Sequence, residues 1–263
     1  MMTSTTSAIK HPILTKLAVC AVWAILWQAA HLLVYAAYGT NLLLPSPLSV
    51  LERLLQLLGT GSFYATVLHS FLRIFGGFLL GVLAGCLLGT VTAFCPLAHQ
   101  FFAPAMSIIK ATPVASFVIL ALVWIRGQNL SIFIAFLMVL PVIWSNVHAG
   151  FSSADPQLLE MAAVYRLPFH RRLQAIYLPA VFPYLLSAVR VGLGFSWKSG
   201  IAGEVIAIPS QAVGTELYNA KIYLDMPGLF AWTLVIVLLS VLLEQGVLRL
   251  LPMPGPREGE HHA

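Results

Sequence analysis

The sequence predicts an all-α, polytopic membrane protein. Three observations carry that prediction. Hydrophobic residues make up 59% of the 263 positions and charged residues only 9%. Mean hydropathy is +0.90. Apolar runs recur at about the 20-residue length that a helix needs to cross the hydrocarbon core. A soluble domain carries roughly 25% charged residues, so a water-exposed fold could not hide this much apolar surface. The polar segments between the runs are short, which predicts a single transmembrane domain over 1–263, with flexible tails at 1–12 and 252–263.

Six runs qualify as spans: 14–37, 64–94, 101–125, 129–150, 180–206 and 228–251. The first follows Lys10 and Lys16 and exceeds the roughly 7–15 apolar residues of a signal peptide, so it reads as a retained helix. Residues 38–63 form a loop whose LLPSPLSV stretch favours a turn and then a short helix. The second span is long enough to tilt or to project from the bilayer. Gly77, Gly81, Gly85 and Gly89 recur on it every fourth residue, a ridge of small residues that lets a neighbouring helix approach closely. The third span contains Lys110 and Pro113 and is expected to be one kinked helix among others. Residues 207–227 form a second sizeable loop before the last span.

An even number of spans puts both termini on one side. Lys10, Lys16, Arg166, Arg171, Arg172, Arg249 and Arg257 fall on that side, against Arg53, Arg126 and Lys221, with Arg73 nearby, on the other. The positive-inside rule then makes both termini and the 150–180 segment cytoplasmic.

That segment contains EMAAVYRLPFHRRLQAIYLP, the most polar stretch between two spans. Asp155 and Pro156 suit a helix start, because Asp caps free N–H groups and Pro fits the first helical position. The helix runs through Glu160, Ala162 and Ala163 toward Leu167. Pro168 cannot continue it but can open a second one. There Phe169, Leu173 and Ile176 fall on one face, with Arg171 and Arg172 pointing elsewhere. The residues fit a helix-turn-helix elbow at the membrane surface, or a basic loop that only anchors topology.

Charges inside spans are costly and tend to face cavities or partners. Arg190, Lys198 and Glu204 share the fifth span. Lys198 and Glu204 stand about 120° apart around a straight helix, so each needs a partner elsewhere. Lys110, Lys198 and Glu204 are candidates for a path that favours an anion; a structural ion pair for Glu204 is the other reading. His69 and His148 read as satisfied bundle residues. Glu244 is placed to meet Arg249. Trp23, Trp27 and Trp124 lie toward span ends, as aromatic belts require.

Several classes are excluded. A net charge of +5 without a polar basic surface argues against nucleic-acid binding. Cys20, Cys86 and Cys95 lie in or beside apolar runs, with no metal-ligand spacing. No phosphate-binding glycine loop, paired carboxylates or activated nucleophile is present. The chain itself is therefore expected to bind no cofactor or metal and to be no enzyme.

The elbow resembles the EAA loop of permease subunits in binding-protein-dependent ABC importers: E-A-A, three residues, G, nine residues, I-x-L-P. Glu160, Ala162, Ile176, Leu178 and Pro179 match it. Met161 replaces the first alanine, and Arg166 stands where glycine is usual. Arg does not adopt a left-handed turn cheaply, so Pro168 is expected to make the turn instead. The resemblance covers about 43–251 and is similar to the sulfonate, taurine and nitrate branch in LLPSPLSVLERL and KATPVASFVILALVWI. It implies a type I importer fold with a cytoplasmic coupling helix. It further implies separate ATPase subunits that use ATP and Mg, an extracytoplasmic solute-binding protein, a second permease copy and import of a small anion. A stand-alone secondary transporter is the alternative, although the inverted repeats it favours are not visible.

Overall fold

The computed structural model describes residues 12–40 and 42–250, and among these every regular element is helical. Pro12, expected in a tail, begins the first helix; the remainder of both tails lies outside the described residues. In order the helices are α1 Pro12–Tyr38, α2 Pro47–Leu58, α3 Gly61–Phe94, α4 Pro96–Ala111, α5 Val114–Ala121 and α6 Gly127–Ser152. They continue with α7 Pro156–Val164, α8 Phe169–Arg172, α9 Leu178–Ala207, α10 Val213–Ile222 and α11 Met226–Leu250. Among the described residues five regions, in α1, α3, α6, α8–α9 and α11, are long and apolar enough to cross a membrane, and the bent α4–α5 pair makes six if counted as one span.

That pair corrects the expectation of one kinked helix over 101–125. The helix breaks completely, and its two parts meet at 104°. Pro113 has no N–H to donate and crowds the residue before it into an extended conformation. Thr112 accordingly sits at φ −82° and ψ 130°. At 1.5 Å per residue α4 and α5 reach only about 24 and 12 Å, short of the roughly 30 Å core.

α6 is the most buried span and lies between α3 and α9. Its Val139, Ile143, Val147 and Phe151 pack with Phe78 of α3 and with Val181, Ala188 and Leu193 of α9. The four-residue glycine ridge makes the α3–α6 approach possible. A Cβ added at Gly81, Gly85 or Gly89 would lie 2.8, 2.6 or 2.7 Å from the Cβ of Val139, Ile143 or Val147. Gly77 meets the Ile132 carbonyl in the same way.

A second core forms at the far end of the bundle. It gathers Val50 and Leu54 of α2, Ile74 of α3, Trp197 and Ile201 of α9, Val213 of α10 and Trp232 of α11. Trp197 also donates through its indole N–H to the Ile236 carbonyl at 3.1 Å, tying α9 to α11. α1 stays peripheral: its Trp27 donates to the Pro45 carbonyl (3.2 Å) and packs against Phe230.

Candidate functional site

The elbow is built from its caps inward. The Asp155 carboxylate accepts from the Gln157 N–H at 2.8 Å, so α7 starts where the sequence indicates. α7 ends in a Schellman arrangement: the Leu167 N–H donates to the Ala162 carbonyl (2.9 Å) and the Arg166 N–H to the Ala163 carbonyl (3.0 Å). This closure needs a left-handed residue at Arg166, and Arg166 takes it, at φ 51°. The expectation that Pro168 would make the turn is thereby corrected. The two C-terminal hydrogen bonds require the left-handed residue at 166 whatever its side chain. Pro168, at φ −63° and ψ 152°, only starts α8.

Beyond α8 the chain makes one wide π turn over Leu173–Tyr177, closed by the Leu178 N–H donating to the Leu173 carbonyl. The extra residue in this turn shifts the apolar stripe predicted for a regular helix. Ile176 is buried with Ala162 and Ala154. Leu173 packs with the central core. Phe169 is 53% exposed and touches the bundle through Phe94, at 5.7 Å between ring centroids. Phe94, the last residue of α3, also meets Phe151 of α6 (5.1 Å) and Tyr177 (5.5 Å). An aromatic knot thus joins the elbow to the ends of α3 and α6 and to the entry of α9, which Pro179 opens.

The other side of the elbow is open and mixed in character. Glu160, Ala163, Arg166 and Arg171 are exposed, Arg172 is half-buried, and Met161, Val164 and Tyr165 are exposed beside them. Beneath it lies an open cavity of about 830 Å³ lined by residues including Asp155, Leu158, Gln174 and Phe182.

Glu204 lies at the far end of the bundle and is fully buried. Ser70 Oγ donates to its Oε2 at 2.8 Å, and the Gly214 N–H donates to the same oxygen at 3.2 Å. Arg73 Nη1 stands 3.8 Å from Oε1. The carboxylate therefore faces the N-terminus of α10, where free N–H groups favour negative charge. Arg73 Nη2 also donates to the Ser210 carbonyl at 3.0 Å, clamping the loop after α9. Within this chain Glu204 is thus a buried carboxylate held by α3 and α10, with Arg73 as its counter-charge.

Lys110 and Lys198 remain exposed. Lys110 closes α4 and donates to Ser145 Oγ at 3.3 Å. His148 is held by stacking on His99 (centroids 4.4 Å) and by a contact with Thr92 Oγ1. Glu244 and Arg249 form no ion pair; five positions turn them about 140° apart on a helix. Sequence reasoning missed the knot residues Phe94 and Phe151 and the Glu204 partners Ser70, Arg73 and Gly214. The only signal for the first two was their place at the ends of apolar runs.

The described residues thus form a helical bundle with five to six span-length apolar segments and an elbow attached to the entry of α9. Residues 77–251 match the family of binding-protein-dependent transport system inner membrane components, and the chain belongs to that family. It is 28% identical to a probable ABC transporter permease protein of Brucella melitensis, over 77% of this chain and 82% of that one. It is 24% identical to a putative aliphatic sulfonates transport permease protein of Bacillus subtilis (78% and 74% covered). It is 26% identical to the taurine transport system permease protein of Escherichia coli (83% and 82% covered). The fold is similar to a chain of the MetNI methionine ABC transporter in inward-facing conformations, with TM-score 0.57, 17% identity and coverage of 72% of this chain and 92% of that one.

Proposed function

We propose that this ABC importer permease couples to a separate cytoplasmic ATPase through the 155–178 elbow and passes a small anion of the sulfonate, taurine or nitrate kind into the cell. The observation that supports the coupling is the two-faced elbow. Its polar residues Glu160, Arg166 and Arg171 are exposed, while Ala162 and Ile176 are buried against Ala154 and Ala180 at the entry of α9. A soluble partner gripping the polar face moves α3, α6 and α9 through the Phe94 knot. ATP and Mg belong to that partner, and hydrolysis there drives the rocking. In this reading the elbow end and both termini are cytoplasmic, in a bacterial inner membrane. An extracytoplasmic solute-binding protein delivers the solute to the far end, and a second copy of the chain completes the pore. Lys110 and Lys198 give the path a cationic lining. The names of the sulfonate and taurine relatives support the solute class.

The test is recovery of partners from solubilised native membranes, with the wild-type chain and with Glu160→Lys. Co-recovery of an ATPase that the variant loses is the expected result. A folded protein that brings down no ATPase overturns the coupling role of the elbow.

A further inference from the structure

We infer that α2 is an interfacial helix whose exposed leucine ridge lies in the acyl–headgroup boundary of the bilayer at the far end of the bundle.

α2 is 12 residues long. At about 18 Å it cannot cross the roughly 30 Å core. Its start is fixed by Pro47 and by Ser46, whose hydroxyl accepts from the Ser49 N–H at 3.1 Å. Three stripes run along it. Val50 and Leu54 are buried against the far-end core. Ser49, Glu52, Arg53 and Gln56 form a polar stripe roughly a third of a turn away. Between them Leu48, Leu51, Leu55 and Leu58 make a third stripe at i, i+3, i+7, i+10 spacing, and all four are exposed, Leu48 by 65% and Leu55 by 60%.

Its depth follows from what holds it. Arg53 Nη2 donates to Asp225 Oδ2 at 2.8 Å. Asp225 in turn caps α11, accepting from the Gly228 N–H at 2.9 Å. The polar stripe is therefore pinned where the last span enters the membrane. Tyr35 and Tyr38 near the end of α1 and Tyr64 near the start of α3, the helices that flank α2 in the chain, are exposed, as the rings of an aromatic belt are. Leu68 and Leu72, in the early turns of α3, are exposed as well. Four leucines beside one polar stripe, on a short helix at boundary depth, is the pattern of a helix lying in the interface. A water-soluble partner would face mostly hydrocarbon on this ridge, so lipid is the occupant.

The experiment uses the full chain with Cys20→Ala, Cys86→Ala and Cys95→Ala, reconstituted in phosphatidylcholine–phosphatidylglycerol vesicles. Nitroxide labels are placed singly at Leu51→Cys, Leu55→Cys, Glu52→Cys and Gln56→Cys. Helical content and monodispersity before reconstitution screen out misfolded variants. The expected result is a several-fold higher ratio of oxygen to nickel-chelate collision rates at 51 and 55 than at 52 and 56. Equal nickel access at all four sites puts the ridge in water and overturns the inference. Protection of 51 and 55 from both reagents, with spin–spin broadening between copies, assigns the ridge to a second chain and overturns it equally. Neither outcome bears on the elbow, so the coupling proposal stands or falls separately.

Discussion

Gly85→Ala is expected to destabilise the bundle, while Gly76→Ala, on the same helix, is not. The added Cβ at position 85 would lie 2.6 Å from Ile143 Cβ, 2.9 Å from its Cγ2 and 3.1 Å from the Leu140 carbonyl oxygen. Carbon atoms prefer about 3.5–4.0 Å, so the overlap is close to 1 Å. Ile143 Cβ is fixed to the backbone of α6 and cannot swing away. Relief requires α3 and α6 to part along a seam that also holds Gly81 and Gly89. Overpacking of this kind costs about 1–3 kcal/mol, and the upper half of that range applies because no flexible tip absorbs it. The gain of roughly 1 kcal/mol from replacing a helical glycine by alanine offsets part of this. Gly76 has nothing within 4 Å of its virtual Cβ, so Gly76→Ala collects the gain without the clash. The gain is common to both, so the two variants should differ by the clash alone, about 2–3 kcal/mol. Equilibrium unfolding of the purified full chain in mixed micelles, titrated with SDS and followed by circular dichroism, measures the difference. Equal midpoints for the two variants would refute the close α3–α6 contact.

Glu204→Ala should cost about 3–5 kcal/mol, because it leaves Arg73 and the Gly214 N–H facing a buried site without their acceptor; Glu204→Gln, which keeps an acceptor oxygen, should cost less in the same titration. Lys198→Met should leave the unfolding midpoint in place and reduce uptake of a labelled anionic solute by the reconstituted transporter; unchanged uptake removes Lys198 from the path. Arg166→Gly relieves a left-handed arginine at φ 51°, worth about 1–2 kcal/mol less the roughly 0.5–1 kcal/mol of extra unfolded-chain entropy. The amides at 166 and 167 should then exchange more slowly with deuterium, and faster exchange would count against the Schellman closure. Arg53→Ala should change stability by no more than about 1 kcal/mol, since the Arg53–Asp225 pair is partly exposed. Asp225→Ala should cost about 0.5–2 kcal/mol more through loss of the α11 cap. Equal effects of those two substitutions in SDS unfolding would show that the cap contributes nothing.

The sequence by itself determined the features that depend on neighbours along the chain. Apolar run length determined that there are spans. Ser46–Pro47 and Asp155–Pro156 determined where two helices begin, because capping and a fixed proline φ act within one turn. The four glycines marked a close-packing face on α3, because residues four apart share a helix side. What partner each face meets was decided only by the tertiary structure. Ser70 and Glu204 are 134 positions apart, and nothing local says that one carboxylate will serve α3, α9 and α10 together. Helix geometry in the sequence already turned Lys198 away from Glu204, but that Arg73 of α3 is the counter-charge came only from the tertiary structure. Pro113 announced a kink, but a 104° break needs packing to hold the two halves apart. At Arg166 local preference and tertiary need conflict: the side chain disfavours a left-handed backbone, and the elbow's closure imposes one. The elbow's position followed from spacing alone, while its attachment to Phe94 and Phe151 arose only where the ends of separate helices converge.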